Sequence, residues 1–416
     1  MRLRSATLLP ALAIVHTVVW GVGLSAFPFA YSPRWALAQY LSTFVLVVVS
    51  TNLMLATRAR PLESVFGCLD KMFASHRVDG IAAAIVILAH VAIVPISVPI
   101  LPGRAVGMTA LLLIEGSVIL AIAPRAPWRR LLAMPYQIWK TGHGFMGLIV
   151  TIAIAHSLLV PTMVAFMPAV RIWVYGMASL GLLAYVYRET VFRIVARRHR
   201  YRVAEARHVG DDVLEVHLDP VRAPISQRAG QFAFVAFDGG PTRERHPFTI
   251  SAAPTSGPLR FSIKASGDFT NALQAHLAAG SSASIEGPYG MFDFRSGRRR
   301  QLWLAGGIGI TPFLAFLPTI EADREITLVW SVRTADQAVY QTEIERSMAD
   351  KPGVTLLVWP SAAKGHLDVA KLGLTAPGEL SVYICGPIVM RDAYLAQLAS
   401  IGVSRADIHY EEFTLR

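Results

Sequence analysis

The stretch Lys71–Ser97 reads KMFASHRVDGIAAAIVILAHVAIVPIS and is long enough to cross a bilayer. It contains His76 and His90, fourteen residues apart. At about 3.6 residues per turn this spacing is close to four turns, so both imidazoles lie on one helix face, roughly 20 Å apart. Ionisable groups inside membrane spans are costly and usually functional. The stretch therefore predicts a membrane helix with two functional histidines on one face.

A second apolar run repeats this arrangement. Thr141–Met163 holds His143 and His156, thirteen residues apart. Two such helices side by side would form two stacked pairs of imidazoles. The pattern favours bis-histidine ligation of two haem groups, with the iron ligands His76, His90, His143 and His156. The alternative is that four isolated polar residues are tolerated in a helical bundle.

The composition indicates a membrane protein. Of the 416 residues, 53% are apolar and 16% charged, and the mean hydropathy is +0.45. The apolar excess lies in residues 1–190. The net charge of +11 does not indicate nucleic-acid binding, because the basic residues gather beside the apolar spans. The two cysteines lie in different halves and imply no disulfide.

Six membrane spans are predicted in the first half. Their approximate ranges are 6–27, 36–56, 78–98, 106–123, 142–163 and 170–188. Arginine and lysine are concentrated in alternate loops, which by the positive-inside rule predicts a multi-pass inner-membrane protein with both termini in the cytoplasm. The third and fifth spans then run in the same direction. This pairs His76 with His143 near the cytoplasm and His90 with His156 near the outside.

Two other polar residues lie within the spans. His16 has no partner at the spacing of the other histidines, so it is interpreted as structural or as a contact to a haem propionate. Glu115 either belongs to a proton path or is neutral and hydrogen-bonded within the bundle.

The second half reads as soluble. Short alternating strands punctuated by glycine and proline run from about residue 201 to 294 and predict a small antiparallel β-barrel, interrupted by a helix at 270–279. From residue 300 onward, apolar strands alternate with helices, which predicts an α/β domain with a parallel sheet. The predicted fold is thus a six-span membrane α-helical bundle (1–190), a cytosolic barrel domain (200–298) and a nucleotide-binding domain (299–416).

Two neighbouring segments of the barrel carry chemistry. Arg245–Ser251 reads RHPFTIS, and Lys264–Thr270 reads KASGDFT. Aromatic rings, a hydroxyl group and cations on a barrel suit a flavin and its pyrophosphate. Taken alone, HPFT is equally compatible with an ordinary barrel strand.

Two glycine-containing loops carry chemistry in the last domain. Gly306–Pro312, GGIGITP, follows a strand and opens a helix, where glycines admit a phosphate and the helix N-terminus offers amides and positive dipole. It lacks the GxGxxG spacing, and an ordinary strand–turn–helix connection is the alternative. Cys385–Pro387, CGP, follows another strand, at the edge where parallel sheets bind ligands.

The motifs HPFT, GPYG, GGIGITP and CGP, with a terminal aromatic residue, follow two histidine pairs. In this order the chain resembles a compact bacterial member of the NADPH oxidase and ferric reductase superfamily. The first half is similar to the ferric reductase transmembrane domain, and the second half to the ferredoxin–NADP reductase-like flavoprotein module. The resemblance implies three kinds of cofactor. These are one FAD, a pyridine nucleotide (NADPH or NADH), and two b-type haems.

The resemblance also assigns residues. The implied flavin contacts are His246, Pro247, Phe248 and Thr249, with Thr249 at the isoalloxazine. The implied FAD-phosphate contacts are Lys264, Gly267, Phe269 and Thr270. The implied pyridine-nucleotide contacts are Gly306, Gly307, Gly309, Thr311, Pro312, Cys385, Gly386 and Pro387. Cys385 on the nicotinamide side, Phe413 as the aromatic cover of the flavin, and Thr249 are the implied catalytic residues.

The implied electron route runs from NAD(P)H to FAD, to the haem of His76 and His143, to that of His90 and His156, and then outside. With both axial positions filled, the haems should pass electrons rather than bind oxygen tightly. Oxygen, giving superoxide, is the favoured acceptor and ferric chelate the second. Two alternatives remain open: a conduit to a periplasmic partner protein, and a non-enzymatic membrane anchor that merely binds nucleotide.

Arginines at two places in the chain bear on the choice of nucleotide and on the choice of electron acceptor. Ser331 and Arg333 follow a strand where a 2′-phosphate would lie, which predicts a preference for NADPH; a solvated arginine is the alternative. The predicted outer loops are short and carry Arg104 and Arg171, with Arg34 further round. A shallow basic mouth favours a small diffusible acceptor, while propionate pairing or plain solvation is the alternative.

Overall fold

The computed structural model describes residues 7–27, 30–94, 102–123, 136–192, 199–238, 244–254, 258–374 and 377–411. The chain divides into two compact units, Met1–Arg193 and Ile194–Arg416. The first unit is helical, and the second contains a six-stranded and a five-stranded sheet.

Helices form the first unit, and most of them are long and apolar. They are α1 (Leu8–Ser25), α2 (Pro33–Leu55), α3 (Arg60–Phe66), α4 (Leu69–Ile93), α5 (Pro102–Ile122), α6 (Tyr136–His143), α7 (Met146–Leu159) and α8 (Pro168–Tyr187), which continues as a π-helical turn, Arg188–Phe192. Counting α6 and α7 as one segment, the described residues hold six helical segments long and apolar enough to cross a membrane. The prediction of six long apolar helices before the soluble half is confirmed.

The start of α4 differs from the predicted third span. The helix begins at Leu69 rather than near residue 78, so His76 lies inside it. The charged residues Asp70, Lys71 and Arg77 end the apolar stretch but are compatible with a helix. Hydropathy therefore marked the part of the helix that suits lipid, and not the end of the helix.

The predicted fifth span is interrupted. α6 ends at His143, and the amide of Gly144 is shared between the carbonyl oxygens of Lys140 and Thr141, at 3.0 and 3.1 Å. Gly142 and Gly144 flank His143 on either side and weaken the helix there. The orientation of His143 relative to His156 is therefore set by this break and not by one continuous helix.

The helices of the first unit pack around α2, which contacts α4 on one side and α8 on another. The backbone of Ser50 on α2 lies directly against Gly181 of α8: an added Cβ at Gly181 would be 2.8 Å from both Cα and O of Ser50. Ser50 is fully buried at this crossing. Glycine is therefore required for the close approach of the two helices.

We expect Gly181→Ala to destabilise the helical unit, because the new methyl group would push α8 away from α2; overpacking of this kind costs about 1–3 kcal/mol. Gly176→Ala on the same helix is the matched control, since nothing lies within 4 Å of its Cβ position. Alanine has the higher helix propensity, so this control should hold or gain stability. Thermal unfolding of the purified protein in detergent measures both, and equal melting temperatures for the two variants would contradict the prediction.

The second unit begins with an antiparallel sheet. Its strands are β1 (Arg200–His208), β2 (Val213–Pro220), β3 (Phe232–Phe237), β4 (His246–Thr249), β5 (Leu259–Lys264) and β6 (Ser282–Tyr289), in the order β4-β3-β6-β1-β2-β5. A bridge between Ile250 and Phe261 brings the end of β4 to the opposite edge of the sheet at β5. Helix α9 (Asp268–His276) lies between β5 and β6. The predicted small antiparallel β-barrel is confirmed as an antiparallel half-barrel.

The last domain is a parallel sheet. Its strands are β7 (Arg300–Gly306), β8 (Glu325–Val332), β9 (Val354–Pro360), β10 (Leu380–Cys385) and β11 (Ile408–Tyr410), in the order β11-β10-β7-β8-β9. The helices are α10 (Thr311–Phe316), α11 (Gln341–Met348), α12 (Ser361–Lys364) and α13 (Ile388–Ser400). Every strand pair of this sheet is parallel, as predicted. Trp303, Phe313 and Phe316 fill its core without exposure to solvent.

Candidate active site and histidine pairs

The end of β4 carries a buried hydroxyl group. Thr249 pairs with Phe232 of β3 and is only 5% exposed. Its Oγ1 has no hydrogen-bond partner among the residues the structure describes. A buried hydroxyl without a partner costs free energy unless a ligand supplies one. Thr249 therefore fits a polar edge of a bound flavin.

The two predicted flavin segments meet in the fold. The ring of His246 stacks on that of Phe269, with centroids 3.8 Å apart, and Phe248 lies 6.3 Å from the same ring. Phe269 lies in the first turn of α9, where Thr270 Oγ1 accepts from the amides of Ser266 and Gly267. Apart from its own neighbours along the chain, no described residue has an atom within 4 Å of the Cβ position of Gly267. This open helix start beside an imidazole fits a pyrophosphate.

Lys264, predicted to bind the FAD phosphates, has another neighbour. Its ammonium group lies 3.0 Å from the carboxylate of Asp212. Both residues line a cleft between the barrel and the nucleotide-binding domain, together with Gly307 and Tyr340. Lys264 therefore lies beside the loop Gly306–Pro312 of the nucleotide-binding domain, which is called the glycine loop.

The glycine loop lies against the CGP loop. Since β7 and β10 are adjacent parallel strands, with Ala305 opposite Cys385, the loops that follow them meet. The Cβ position of Gly309 falls directly against the carbonyl oxygen of Cys385, and that of Gly386 lies 3.1 Å from Cα of Gly306. Side chains at these positions would separate the loops.

Further contacts hold the glycine loop in place. Gly307 has a φ of 52°, which favours glycine. Its carbonyl oxygen accepts from the indole Nε1 of Trp330 on β8, at 2.9 Å. Thr311 Oγ1 donates to the carbonyl oxygen of Ile308, at 3.1 Å, so this hydroxyl closes the turn. Pro312, at the first turn of α10, is buried beside it.

Cys385 is fully buried at the end of β10. Burial, and secondarily the negative charge of Glu411, raises the pKa of its thiol well above the usual value, so the thiol is protonated at neutral pH. The sequence reasoning missed Glu411, which is 8% exposed and whose Oε1 lies 2.8 Å from the Cβ position of Gly290 in the GPYG loop. Only the fold brings it there, because it follows the short strand β11.

Two of the remaining predicted residues adjoin Gly306: Ser331 pairs with it across β7 and β8, and Pro387 Cδ lies 3.0 Å from its Cβ position. Ser331 Oγ is 3.3 Å from the hydroxyl of Tyr394 on α13. Arg333 is exposed just beyond the end of β8. Pro387 is the residue immediately before α13. Phe413 lies outside the described residues.

His90 and His156 are predicted to lie near the outside and are called the outer pair. Both show the hydrogen bonding of metal ligands. His90 Nδ1 lies 2.8 Å from the carbonyl oxygen of Ala38, and His156 Nδ1 lies 2.6 Å from that of Gly103. Because a carbonyl oxygen only accepts, both Nδ1 atoms carry hydrogen, and in the neutral imidazoles both Nε2 atoms keep a free lone pair. Metal-ligating histidines commonly donate their other N–H in this way. Each imidazole therefore keeps one nitrogen that could bind a metal.

His76 and His143 are predicted to lie near the cytoplasm and are called the inner pair. The spacing of their rings is compatible with an iron between them. The ring centroids of His76 and His143 are 6.0 Å apart, with ring planes at 85°. Two metal–imidazole bonds of about 2.0–2.1 Å each would put trans ligands at a similar spacing. Edge-to-face packing falls in the same range. Both Nδ1 atoms are buried without a hydrogen-bond partner among the described residues.

Two further polar residues lie inside the helical unit. His16 is fully buried; its Nδ1 accepts from Trp173 Nε1 at 3.2 Å, and its Nε2 lies 3.3 Å from the carbonyl oxygen of Tyr40. Both nitrogens are thus used within the protein, which agrees with a structural histidine. Asp79, one turn beyond His76, is fully buried, and neither carboxyl oxygen has a partner among the described residues. The sequence reasoning did not single it out, although an acidic residue in an apolar run was the signal.

Within the described residues, no cluster of three or more histidine, cysteine or acidic side chains is arranged to hold a metal ion. A bis-histidine haem requires only two protein ligands, so the histidine pairs are judged on their own geometry.

Comparison with known proteins identifies the second half of the chain. Residues 198–293 match the FAD-binding domain family, and residues 303–395 match the oxidoreductase NAD-binding domain family. The chain is 25% identical over 264 residues to the reductase component of propane 2-monooxygenase from Rhodococcus jostii (strain RHA1), covering 58% of this chain and 70% of that protein.

Two flavohaem proteins are also similar. The flavohemoprotein of Vibrio cholerae serotype O1 is 25% identical over 208 residues, covering 46% of this chain and 52% of its own length. The crystal structure of a flavohemoglobin from Malassezia yamatoensis, with bound FAD and haem, superposes with a TM-score of 0.51 over 95% of this chain and 99% of that one. At 19% identity, this second likeness concerns the fold alone.

The matches and the geometry define the class. The second half is an oxidoreductase module with an FAD-binding domain followed by an NAD-binding domain. It is of the ferredoxin reductase-like and flavohemoprotein-like type, here preceded by six long apolar helices.

We expect Gly309→Ala to force the glycine loop away from the CGP loop, because the methyl group would meet the Cys385 carbonyl oxygen. The free energy of unfolding should fall by about 1–3 kcal/mol, as for other overpacked sites. Gly378→Ala is the control, since its Cβ position is open and the residue is exposed in the same domain. Thermal unfolding compares the two, and an unchanged melting temperature for Gly309→Ala would contradict the expected clash.

Proposed function

We propose that the chain is a membrane oxidoreductase that moves electrons from cytoplasmic NAD(P)H, through FAD and two b-type haems, to an acceptor on the other side. Oxygen, giving superoxide, is the favoured acceptor; ferric chelate and a periplasmic partner protein are the alternatives. The observation that carries the proposal is the outer pair, in which His90 and His156 use Nδ1 on backbone carbonyl groups and keep Nε2 for a metal.

The faces of α4 support a membrane role. Val78, Ile81, Ile85 and Leu88 form an exposed apolar stripe on this helix. Val78 lies about 200° round the helix from His76, at about 100° per residue. A helix with lipid-compatible residues on one side and histidines on the other suits a bundle that holds haem inside a bilayer.

A bound FAD would supply two-electron exchange with a nicotinamide and one-electron exchange with a haem, so the flavin would have to lie between these two carriers. The chain's own residues bind and orient these groups. Thr249 offers an unpartnered hydroxyl to the flavin, and His246 with Phe269 forms a stacked surface beside the start of α9. The glycine loop and the CGP loop hold the pyridine nucleotide, with Ser331 and the exposed Arg333 available for the 2′-phosphate of NADPH.

The arginines of the proposed outer face favour a small acceptor. Arg34 Nε donates to the carbonyl oxygen of Ile93 at 2.8 Å, which ties the start of α2 to the end of α4. Arg171 is 3.5 Å from the carbonyl oxygen of Ala165, while Arg104 is exposed. A few scattered cations attract a small anion or superoxide better than they define a protein-docking surface.

The deciding experiment supplies purified full-length protein in detergent with FAD, haem and either NADPH or NADH, and follows reduction of cytochrome c. We expect superoxide dismutase to abolish most of the signal and NADPH to be the better donor. Persistence of the signal in the presence of dismutase, with rapid reduction of ferric chelate, would favour the reductase alternative over the oxidase.

Histidine variants test the haem sites separately. We expect two low-spin haems per chain by reduced-minus-oxidised absorption, and one haem in His90→Ala or His156→Ala, with flavin reduction by NADPH preserved. His76→Ala or His143→Ala should remove the other haem and stop transfer across the membrane.

His16→Gln is the matched control for these variants, because both nitrogens of His16 are already bonded within the protein. It should keep two haems. A full haem complement in His90→Ala would refute the assignment of the outer pair.

A further inference from the structure

The barrel and the nucleotide-binding domain are joined by a partly buried ion pair, in which the Glu343 side chain is 38% exposed. The guanidinium group of Arg260 on β5 donates to both carboxylate oxygens of Glu343 on α11, at 2.9 and 2.7 Å. The Arg260 side chain is only 13% exposed. Two parallel charge-assisted bonds fix orientation as well as distance, which one lysine contact would not do.

The same guanidinium group also bonds to Ser251, just beyond the end of β4. Because β4 carries the predicted flavin contacts, it is called the flavin strand. Arg260 donates through Nε to Ser251 Oγ at 3.2 Å and through Nη2 to the Ser251 carbonyl oxygen at 2.6 Å. Ser251 lies only two residues after Thr249, whose hydroxyl faces the proposed flavin position. One side chain thus connects the end of the flavin strand with a helix of the nucleotide-binding domain.

A second link runs in parallel. The hydroxyl of Tyr340, which directly precedes α11, donates to Ser262 Oγ at 2.8 Å. Ser262 Oγ is in turn 3.1 Å from Ser251 Oγ, and all three residues are buried. Both links therefore converge on Ser251. Tyr340 also lines the cleft between the domains beside Gly307 of the glycine loop.

A fully buried carboxylate, that of Glu215, lies next to Arg260. Glu215 Oε2 lies 3.8 Å from the Arg260 guanidinium group. Burial acts to raise the pKa of Glu215, but hydrogen bonds from His217 and Arg207 and the charge of Arg260 together lower it. The ionised Glu215 therefore places a negative charge beside the Arg260 guanidinium group.

We propose that Arg260 and Tyr340 are positioning residues that form a two-point latch between the flavin strand and the nucleotide-binding domain, and so set the distance for hydride transfer. The proposal rests on the proposed function, because it presumes FAD at Thr249 and a nicotinamide at the glycine loop. Hydride transfer requires the reacting atoms about 3–3.5 Å apart, and a displacement of about 1 Å can slow a reaction by about 100-fold. A rigid link at Ser251 provides this precision.

The kinetic test uses full-length protein and measures flavin reduction by NADPH in stopped flow. We expect Arg260→Ala and Glu343→Ala each to lower the limiting rate constant about tenfold or more, while the Kd of NADPH changes by less than about threefold. The double variant should be no slower than either single variant, since both remove the same link. Arg260→Lys and Tyr340→Phe should give intermediate rates.

Arg298→Ala is the matched control. Arg298 makes a similar paired contact with Asp407, at 3.1 and 3.2 Å, but it lies just before β7 and on no strand of the barrel. Its loss should leave the rate constant unchanged. Equal rates in Arg260→Ala, Arg298→Ala and the unmodified protein would overturn the latch, as would a loss of bound FAD in Arg260→Ala that accounts for the whole effect.

A distance measurement gives a readout that does not depend on turnover. Nitroxide labels at Ala279→Cys in the barrel and Arg346→Cys on α11 are both exposed, while the native Cys68 and Cys385 are buried. We expect a narrow interlabel distance distribution that broadens in Arg260→Ala/Tyr340→Phe. Absence of broadening, or broadening without loss of rate, would overturn the positioning role. If the unmodified protein fails to reduce flavin, the proposed function fails, while the distance distribution still tests the latch.

Discussion

The contact between Gly309 and the carbonyl group of Cys385 is the constraint on which the second half of the chain depends. It exists because β7 and β10 are neighbours in a parallel sheet, although they are far apart in sequence. The loops that follow them meet backbone to backbone, with no room for a side chain. Trp330 on β8 donates a hydrogen bond to the carbonyl oxygen of Gly307 in the glycine loop. Glu411, which follows β11, lies near Cys385 and helps to raise the pKa of its thiol.

Most of the secondary structure was predictable because its causes are local. Alternating apolar residues between glycines and prolines indicated β1 to β6, and apolar runs alternating with helices indicated β7 to β10. The short strand β11 escaped because three residues carry too little pattern. The break after His143 also escaped, since apolar composition does not distinguish a continuous helix from one interrupted at two glycines.

The candidate site was predictable only in part, since its contacts are not local. The HPFT and KASGDFT segments were each recognisable, but the stacking of His246 on Phe269 required the fold. The histidine spacing predicted a shared helix face. It could not predict that Nδ1 of His90 and His156 would reach carbonyl groups 52 and 53 residues away. Glu411 and Arg260 act across elements that no sequence window connects.

The carbonyl acceptors of the outer pair have a consequence for mutational tolerance. Ala38 and Gly103 contribute main-chain atoms, so exchanging their side chains does not delete the acceptors. As long as the helices stay in place, the imidazoles therefore keep their acceptors in point mutants at these positions, unlike imidazoles bonded to a carboxylate or amide side chain. Only a shift of α2 or α5 as a whole would release them. At Gly103 such a shift would follow from almost any larger residue, because Val160 and Leu159 leave no space for a Cβ.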